Sequence, residues 1–319
     1  MHKKILLVGA GQLGSRYLQG LIMSKFNLEI TVVDTSLNSL ETAKLRWNET
    51  GGEDSVHQVR WLESLPLDPL SVDVAIIATS AKGRSSVVER IAGTIEVRYW
   101  VLEKMLTQSH KELLVIHSAI AGCTGVWVNI PRRMMAWHQS LKEAFSGKGS
   151  LKVSFSAGLW GLACNSIHFI DLVAWWSGET LVSIDTKGLD HCWRESKRSG
   201  YFEITGVLFA YFSGGTSLRL SSKEEAETQP IQVVLNSGLL WNVDETAGIA
   251  HSSCGERIDG SIEFQSQLSG RLLDDILHQG NCDLPLLDES SSMHAIFLDA
   301  MLAHWNLSQK RNDDIVPIT

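Results

Sequence analysis

The chain has 319 residues, 44% of them hydrophobic and 20% charged, and a formal net charge of −8. That length suits two domains with room for a sizeable core, and an acidic balance with no basic run against it argues against a nucleic-acid partner. No apolar segment approaches the ~20 residues of a membrane span, so no membrane partner is expected.

Ile5, Leu6, Leu7 and Val8 run unbroken into Gly9, as a strand buried on both faces of a parallel sheet would. Gly9, Ala10, Gly11, Gln12, Leu13 and Gly14 then spell G-x-G-x-x-G. In that motif the first glycine makes a tight turn, the second lets a pyrophosphate approach the backbone, and the third lets the next helix pack closely. Leu18, Leu21 and Ile22 at helical spacing place that helix over residues 15–25, with its N-terminus toward the anion. A second apolar run, residues 30–33, ends at Asp34, about twenty residues past the last glycine, where a dinucleotide-binding unit places its ribose-binding acid. Asp34 would accept from both ribose hydroxyls and repel a 2′-phosphate, which favours NAD over NADP, with Thr35 and Ser36 beside it able to soften the choice.

The pattern then alternates. A helix over residues 37–47, a strand over 56–62, a nearly all-apolar strand over 72–78, a helix over 85–92 and a strand over 97–102 predict a doubly wound parallel sheet. Ligands of such sheets sit beyond the carboxyl ends of the strands. Asp34, Thr35, Thr79, Ser80, Glu103 and Lys104 all fall there. Residues 126–129 read as a last strand and 132–145 as a helix. From residue 151 the strands alternate in period two and are joined by short glycine-containing turns, which predicts a largely antiparallel sheet. A helix over 166–176 would cover one face, and two late helices, 264–278 and 289–305, follow. The division expected is a dinucleotide-binding Rossmann domain over 1–123 and a substrate-binding α+β domain over 124–319. Both faces of residues 206–212 carry apolar side chains, so the open sheet is expected to pair with further copies in a homodimer or homotetramer.

Over nearly its whole length the chain resembles the glucose–fructose oxidoreductase / inositol dehydrogenase / MocA family. The resemblance rests on the glycine turn, Ala78-Thr79 at a strand end, Glu103-Lys104 after the fifth strand, His168-Phe169-Ile170-Asp171-Leu172, and the late open sheet followed by helices. It implies NAD(P)-linked oxidation or reduction of a hydroxyl-bearing carbon on a sugar, cyclitol or derivative, including nucleotide-linked and acidic ones. It also implies that Lys104 and His168 share proton transfer and binding of the substrate oxygen. Two positions depart from the family pattern. Met105 stands where Glu-Lys-Pro has proline, and Cys164, beside Asn165, stands where Asp-x-x-x-His has aspartate.

Taken without the resemblance, Lys104 reads first as a solvated charge at a strand end, and His168 first as a hydrogen-bonded core histidine. Asp171, at i+3 from His168, would either orient the imidazole or bind a backbone amide. Asn129, Arg132 and the adjacent Arg133 are candidates for a substrate's anionic end, and Trp160 for a sugar-stacking face. Cys164, Asn165 and His168 complete the substrate-facing set. The cysteines Cys123, Cys164, Cys192, Cys254 and Cys282 form neither C-x-x-C nor a metal-ligand spacing, so reduced thiols and no metal are expected. With the first strand starting so near the beginning, leaving no room for a signal peptide, a cytoplasmic location is expected. Two rival functions stay open on this evidence: a redox-neutral enzyme that retains its NAD, and a cofactor-sensing regulatory protein without turnover.

Overall fold

A computed structural model describes residues 2–66 and 70–319. The chain packs as two units, the first made of residues 1–107, 111–131 and 263–287, the second of 108–110, 132–262 and 288–319.

The first unit is built on six parallel strands: β1 (Lys3–Val8), β2 (Leu28–Val33), β3 (Gln58–Leu62), β4 (Leu70–Ile77), β5 (Ile95–Glu103) and β6 (Gly125–Asn129), in the order β3-β2-β1-β4-β5-β6. The helices α1 (Gln12–Leu21), α2 (Leu37–Glu49), α3 (Arg84–Thr94) and α4 (His110–Ala119) follow β1, β2, β4 and β5. The strand order reverses between β1 and β4, so the carboxyl ends of these neighbours open the crevice that doubly wound sheets use for ligands. Ile5, Leu6, Leu7, Val74, Ala75 and Leu102 are at most 1% exposed, which is why the central strands read as continuous apolar runs.

The second unit begins with α5 (Ala136–Phe145) and carries an eight-stranded sheet. Its strands are β7 (Leu151–Ala157), β8 (Leu181–Leu189), β11 (Gly206–Phe212), β12 (Ser217–Ser222), β13 (Ile231–Leu235), β14 (Leu240–Asp244), β15 (Ile249–Ser252) and β16 (Arg257–Asp259). The order is β16-β15-β14-β13-β7-β12-β11-β8; β7 and β12 pair in parallel and the other pairs are antiparallel. A two-stranded ribbon, β9 (Arg194–Glu195) with β10 (Phe202–Glu203), α6 (Leu162–Ser177) and nearly all of α8 (Leu287–Gln309) complete this unit, whereas α7 (Gln265–Gln279) belongs to the first. On β11, Leu208, Ala210 and Phe212 are buried, while Val207, Phe209 and Tyr211 share the opposite face, with Tyr211 43% exposed.

The packing division differs from the expected boundary at residue 123. Residues 124–131 stay with the first unit because β6 pairs with β5 in register from Tyr99↔Gly125 to Glu103↔Asn129. The chain also returns there late, because α7 lies backbone to backbone on α1: a Cβ at Gly20 would stand 2.7 Å from the Ser266 carbonyl oxygen, and one at Gly270 2.8 Å from that of Gly20. The helix expected over 132–145 is split. Residues 131–134 form a 3₁₀ turn, Met135 is extended, and α5 starts at Ala136.

The three glycines of the turn are not equivalent. Gly9 has φ +96°, and a Cβ there would meet the Ala78 carbonyl carbon at 2.8 Å; a Cβ at Gly14 would lie 1.7 Å from the Gly9 carbonyl oxygen; one at Gly11 would meet nothing within 4 Å. Gly14→Ala should therefore destabilise the fold by more than about 4 kcal/mol, the range reserved for a steric fault in the core, whereas Gly11→Ala should unfold like the wild type. Chemical denaturation of the two variants checks this, and equal stabilities would contradict it.

Candidate active site

At the ligand-facing end of the first unit, α1 opens directly from Gly11. It has no side-chain cap at its N-terminus and no acidic residue in its first turn, so its first amides present partial positive charge with no carboxylate against them. Asp34 follows β2 and is half-buried. Its Oδ2 accepts from the Ala10 amide at 2.6 Å and its Oδ1 from the Ser36 amide at 2.9 Å, which ties the acid to the glycine turn. A carboxylate has about four acceptor positions, so two remain for hydroxyl donors. Thr35 is exposed beside it. Arg46 reaches over from α2, donating to Ser15 Oγ at 2.6 Å and to Gln12 Oε1 at 2.8 Å, and so braces the first turn of α1.

Thr79 and Ser80 follow β4 and are half-buried; the buried Thr79 hydroxyl has no hydrogen-bond partner among the described residues. The Glu103 carboxylate is turned inward at 3% exposure. Its Oε1 accepts from the Tyr17 hydroxyl and from Asn129 Nδ2, both at 2.6 Å, and Asn129 Nδ2 also donates to Gln265 Oε1 at 2.8 Å. Burial pushes the Glu103 carboxyl up, against those two hydrogen bonds and the charges of Arg84 and Lys104. Burial and the neighbouring Glu103 push the Tyr17 phenol well above its ordinary value, so it remains a donor. Asn129 and Glu103 thus meet directly, and the buried Asn129 Oδ1 has no partner among the described residues. Lys104 is half-buried and Met105 fully buried.

In the second unit His168 lies half-buried on α6, with Cys164 and Asn165 in the first turn of the same helix. Gly161, at φ +78°, turns the chain into α6, and Glu203 from β10 closes the helix end by accepting from the amides of Ala163 (2.8 Å) and Cys164 (3.3 Å). A carboxylate from another strand therefore stands over the first turn of α6, where Cys164 itself supplies no charge. Asn165 Nδ2 donates to the Trp160 carbonyl at 2.8 Å. Trp160 donates its indole N–H to the Ser221 carbonyl at 3.0 Å and packs edge-on against Phe155 and Phe169, each 5.3 Å away between ring centroids.

The two arginines after β6 are committed to acids. Arg132 forms a two-pronged pair with Glu245, both contacts 2.7 Å, and its guanidinium lies 4.9 Å from the centre of the Phe169 ring. His138, also on Glu245 at 3.0 Å, is held below its ordinary value by burial. The proposed anion-binding charge of Arg132 is thus already balanced within the unit. Arg133 donates to both Asp171 oxygens, at 2.8 and 2.6 Å, and to Glu289. Asp171 takes this guanidinium, a third outcome beside the two expected of it. Burial outweighs Arg133 and pushes its carboxyl up to about 6.

Lys104, Asn129, Thr79, Ser80, Asp34 and the glycine turn belong to the first unit, and Arg132, Trp160, Cys164, Asn165 and His168 to the second. Tyr17, Arg46, Arg84, Glu203, Glu245 and Gln265 are not among the residues that motif and spacing single out. Tyr17 left a signal, because its hydroxyl falls on the buried stripe of α1 with Leu18 and Leu21. The others are partners across long stretches of chain and left none. All five cysteines are free thiols. No helix among the described residues is long and apolar enough to cross a membrane.

No protein-family model matches the sequence, and no curated protein sequence matches it. Solved structures do. UDP-N-acetylglucosamine 3-dehydrogenase from Acidithiobacillus ferrooxidans is 15% identical with a TM-score of 0.70, over 97% of this chain and 100% of its own. Myo-inositol dehydrogenase from Lactobacillus casei, solved with NAD(H) and myo-inositol, is 15% identical with a TM-score of 0.66, over 98% of this chain and 96% of its own. A dehydrogenase from Chromobacterium violaceum is 13% identical with a TM-score of 0.70, over 97% and 96%. The chain has the fold of these dehydrogenases. A doubly wound parallel sheet followed by a large, mostly antiparallel sheet, expected from the sequence, is the architecture they share.

The Arg132–Glu245 pair sets a pH dependence of stability. Arg132 and the His138 hydrogen bond outweigh the burial of Glu245 and hold its carboxyl well below the usual carboxylate range. A depressed folded value means that the ionised form stabilises the fold fully above the unfolded value near 4.5 and loses that contribution as pH falls below it. Glu245→Gln should cost about 3 kcal/mol at neutral pH by leaving a half-buried guanidinium without its counter-ion. The gap to wild type should narrow below pH 4.5. Urea denaturation across pH checks this, and a gap unchanged by acid would contradict it.

Proposed function

We propose that this chain is an NAD-dependent oxidoreductase that moves a hydride between the nicotinamide and a hydroxyl-bearing carbon of a sugar or sugar derivative. The observation that carries the reading is the shape of the turn at residues 9–14. Gly9 and Gly14 are filled to contact by backbone, while the Cβ position of Gly11, at the uncapped start of α1, is open. That is the cradle a pyrophosphate requires. The hydroxyl of Thr79, buried and without a partner among the described residues, is a further polar group for the cofactor, with Ser80 beside it. Asp34, fastened to the same turn, keeps two acceptor positions for the adenosine ribose and sets a negative charge against a 2′-phosphate. NAD is the cofactor these residues fit, and a solved structure of the same fold holds NAD(H) with a cyclitol.

When bound, the dinucleotide supplies the carbon that accepts or gives the hydride. Lys104 holds the substrate oxygen with its ammonium group, and His168 takes or returns the hydroxyl proton. Glu103, locked by Tyr17 and Asn129, fixes the strand end from which Lys104 projects. Trp160, held by Ser221 and the aromatic pair Phe155 and Phe169, offers a rigid apolar face to a sugar ring. Arg132 is balanced by Glu245, which supports a substrate recognised through hydroxyls rather than through an anionic end at that arginine.

The test is steady-state kinetics, read by NADH absorbance, over a panel of sugars, cyclitols and nucleotide sugars. Lys104→Ala and His168→Ala should each lower turnover by ~10²–10⁴, the usual cost of losing an acid–base group, and leave NAD affinity near that of wild type. If they serve one proton transfer, the double variant should lose far less than the product of the single losses. Near-normal turnover of His168→Ala would remove His168 from the mechanism, and near-normal turnover of both variants would overturn it.

A further inference from the structure

Resting on that reading of Lys104, we propose that Arg84 is its positioning residue: one buried guanidinium gathers the peptide carbonyls around Lys104 and sets the backbone from which the lysine projects. Arg84 is the first residue of α3, entered through Gly83 at φ +77°, and is only 1% exposed. Its Nη1 donates to the carbonyls of Glu103 at 2.5 Å and Leu106 at 3.1 Å, and to that of Met105. Its Nη2 donates to the carbonyl of Thr79. The contacts therefore come from the ends of two adjacent parallel strands, β4 and β5, and from both sides of Lys104.

The segment needs such a clamp. Residues 103–107 read Glu-Lys-Met-Leu-Thr, with no proline to fix a φ angle and no regular ladder beyond Glu103. Three carbonyls converging on one point repel one another unless a cation sits there, and a buried carbonyl left without a donor is unfavourable. A planar guanidinium holds its two terminal nitrogens in a fixed fork, so that Nη1 is shared among the three carbonyls around Lys104 while Nη2 reaches Thr79 on the next strand end. A single lysine ammonium at the end of a flexible chain cannot span both. The clamp also has a direction. Glu103, Met105, Leu106 and Thr107 are all buried, and Lys104 is the only residue of the five that is half-exposed. Burying a full positive charge is unfavourable on its own. Here the nearby buried Glu103 supplies the opposite sign within the same unit. Arg84 touches neither cofactor nor substrate in this account and acts through Lys104.

The full-length protein carries the test, with Arg84→Lys and Arg84→Ala compared by amide hydrogen exchange, NAD titration and kinetics. Exchange should accelerate at residues 103–107 and 79–84 while β1 and α1 keep their protection. Turnover should fall by ~10²-fold, the scale of a misplaced catalytic group, with KM and NAD affinity changed far less. Millimolar guanidinium ion should restore protection and turnover to Arg84→Ala and do nothing for Lys104→Ala. If Arg84→Ala does not fold, Arg84→Lys carries both the exchange and the kinetic readout. Wild-type exchange and turnover in Arg84→Lys would overturn the proposal. Should the wild type oxidise no substrate, the dehydrogenase reading fails by itself, and local exchange with its recovery by guanidinium still decides the clamp.

Discussion

The first unit depends on how closely α1 lies against the strands. At Gly14 the helix backbone is pressed onto the Gly9 carbonyl with no space for a methyl group. One turn on, Tyr17 reaches the buried Glu103 at the end of β5, and at Gly20 the same helix meets α7 backbone to backbone. A helix fixed at three points along one face cannot rotate or slide. Its uncapped N-terminus is therefore aimed by the packing of the whole unit. The glycine turn is a consequence of that constraint as much as a binding motif: two of its glycines exist for packing, and the middle one leaves the open space.

Charge follows burial. Each unit hides cations among acids: Arg84 near Glu103 in the first, and in the second Arg133 with Asp171 and Glu289, and Arg132 with Glu245, which His138 shares. Such pairs contribute little net stability over apolar packing but are costly to break, so their weight falls on geometry. They hold strand ends and helix starts in one arrangement. Asp171 and Glu245 show the two limits. Asp171 has no exposure and its carboxyl is driven up, whereas Glu245 keeps some access to solvent and its carboxyl is driven down by Arg132.

Much of the fold was legible because its signals are local. Continuous apolar strands, the glycine spacing and Asp34 at a strand end announce the parallel sheet without reference to anything distant. Period-two strands announce the second sheet. The short strands β15 and β16 at one end of the sheet went unread, since His251, Ser252, Arg257 and Asp259 give a polar pattern over only three or four residues. Helix α4 went unread because Leu113 and Ile116 are its only buried apolar pair, and Leu114 points outward at 61% exposure. The return of α7 to the first unit was invisible because small residues at 20 and 270 meet across 250 positions. At the site, sequence position named Lys104 and His168, yet it could not show that Arg132 is neutralised by an acid 113 residues away, or that four carbonyls converge on Arg84.

On the proposed function, the 9–14 turn and Asp34 form a binding site for a dinucleotide without a 2′-phosphate. Calorimetric titration of the wild type and Asp34→Ser with NAD and with NADP tests it most directly. The account predicts that the wild type binds NAD at least about tenfold more tightly than NADP, a difference of ~1.4 kcal/mol, and that Asp34→Ser closes most of the gap by strengthening NADP binding. Tighter binding of NADP by the wild type, or no binding of either dinucleotide, would contradict it.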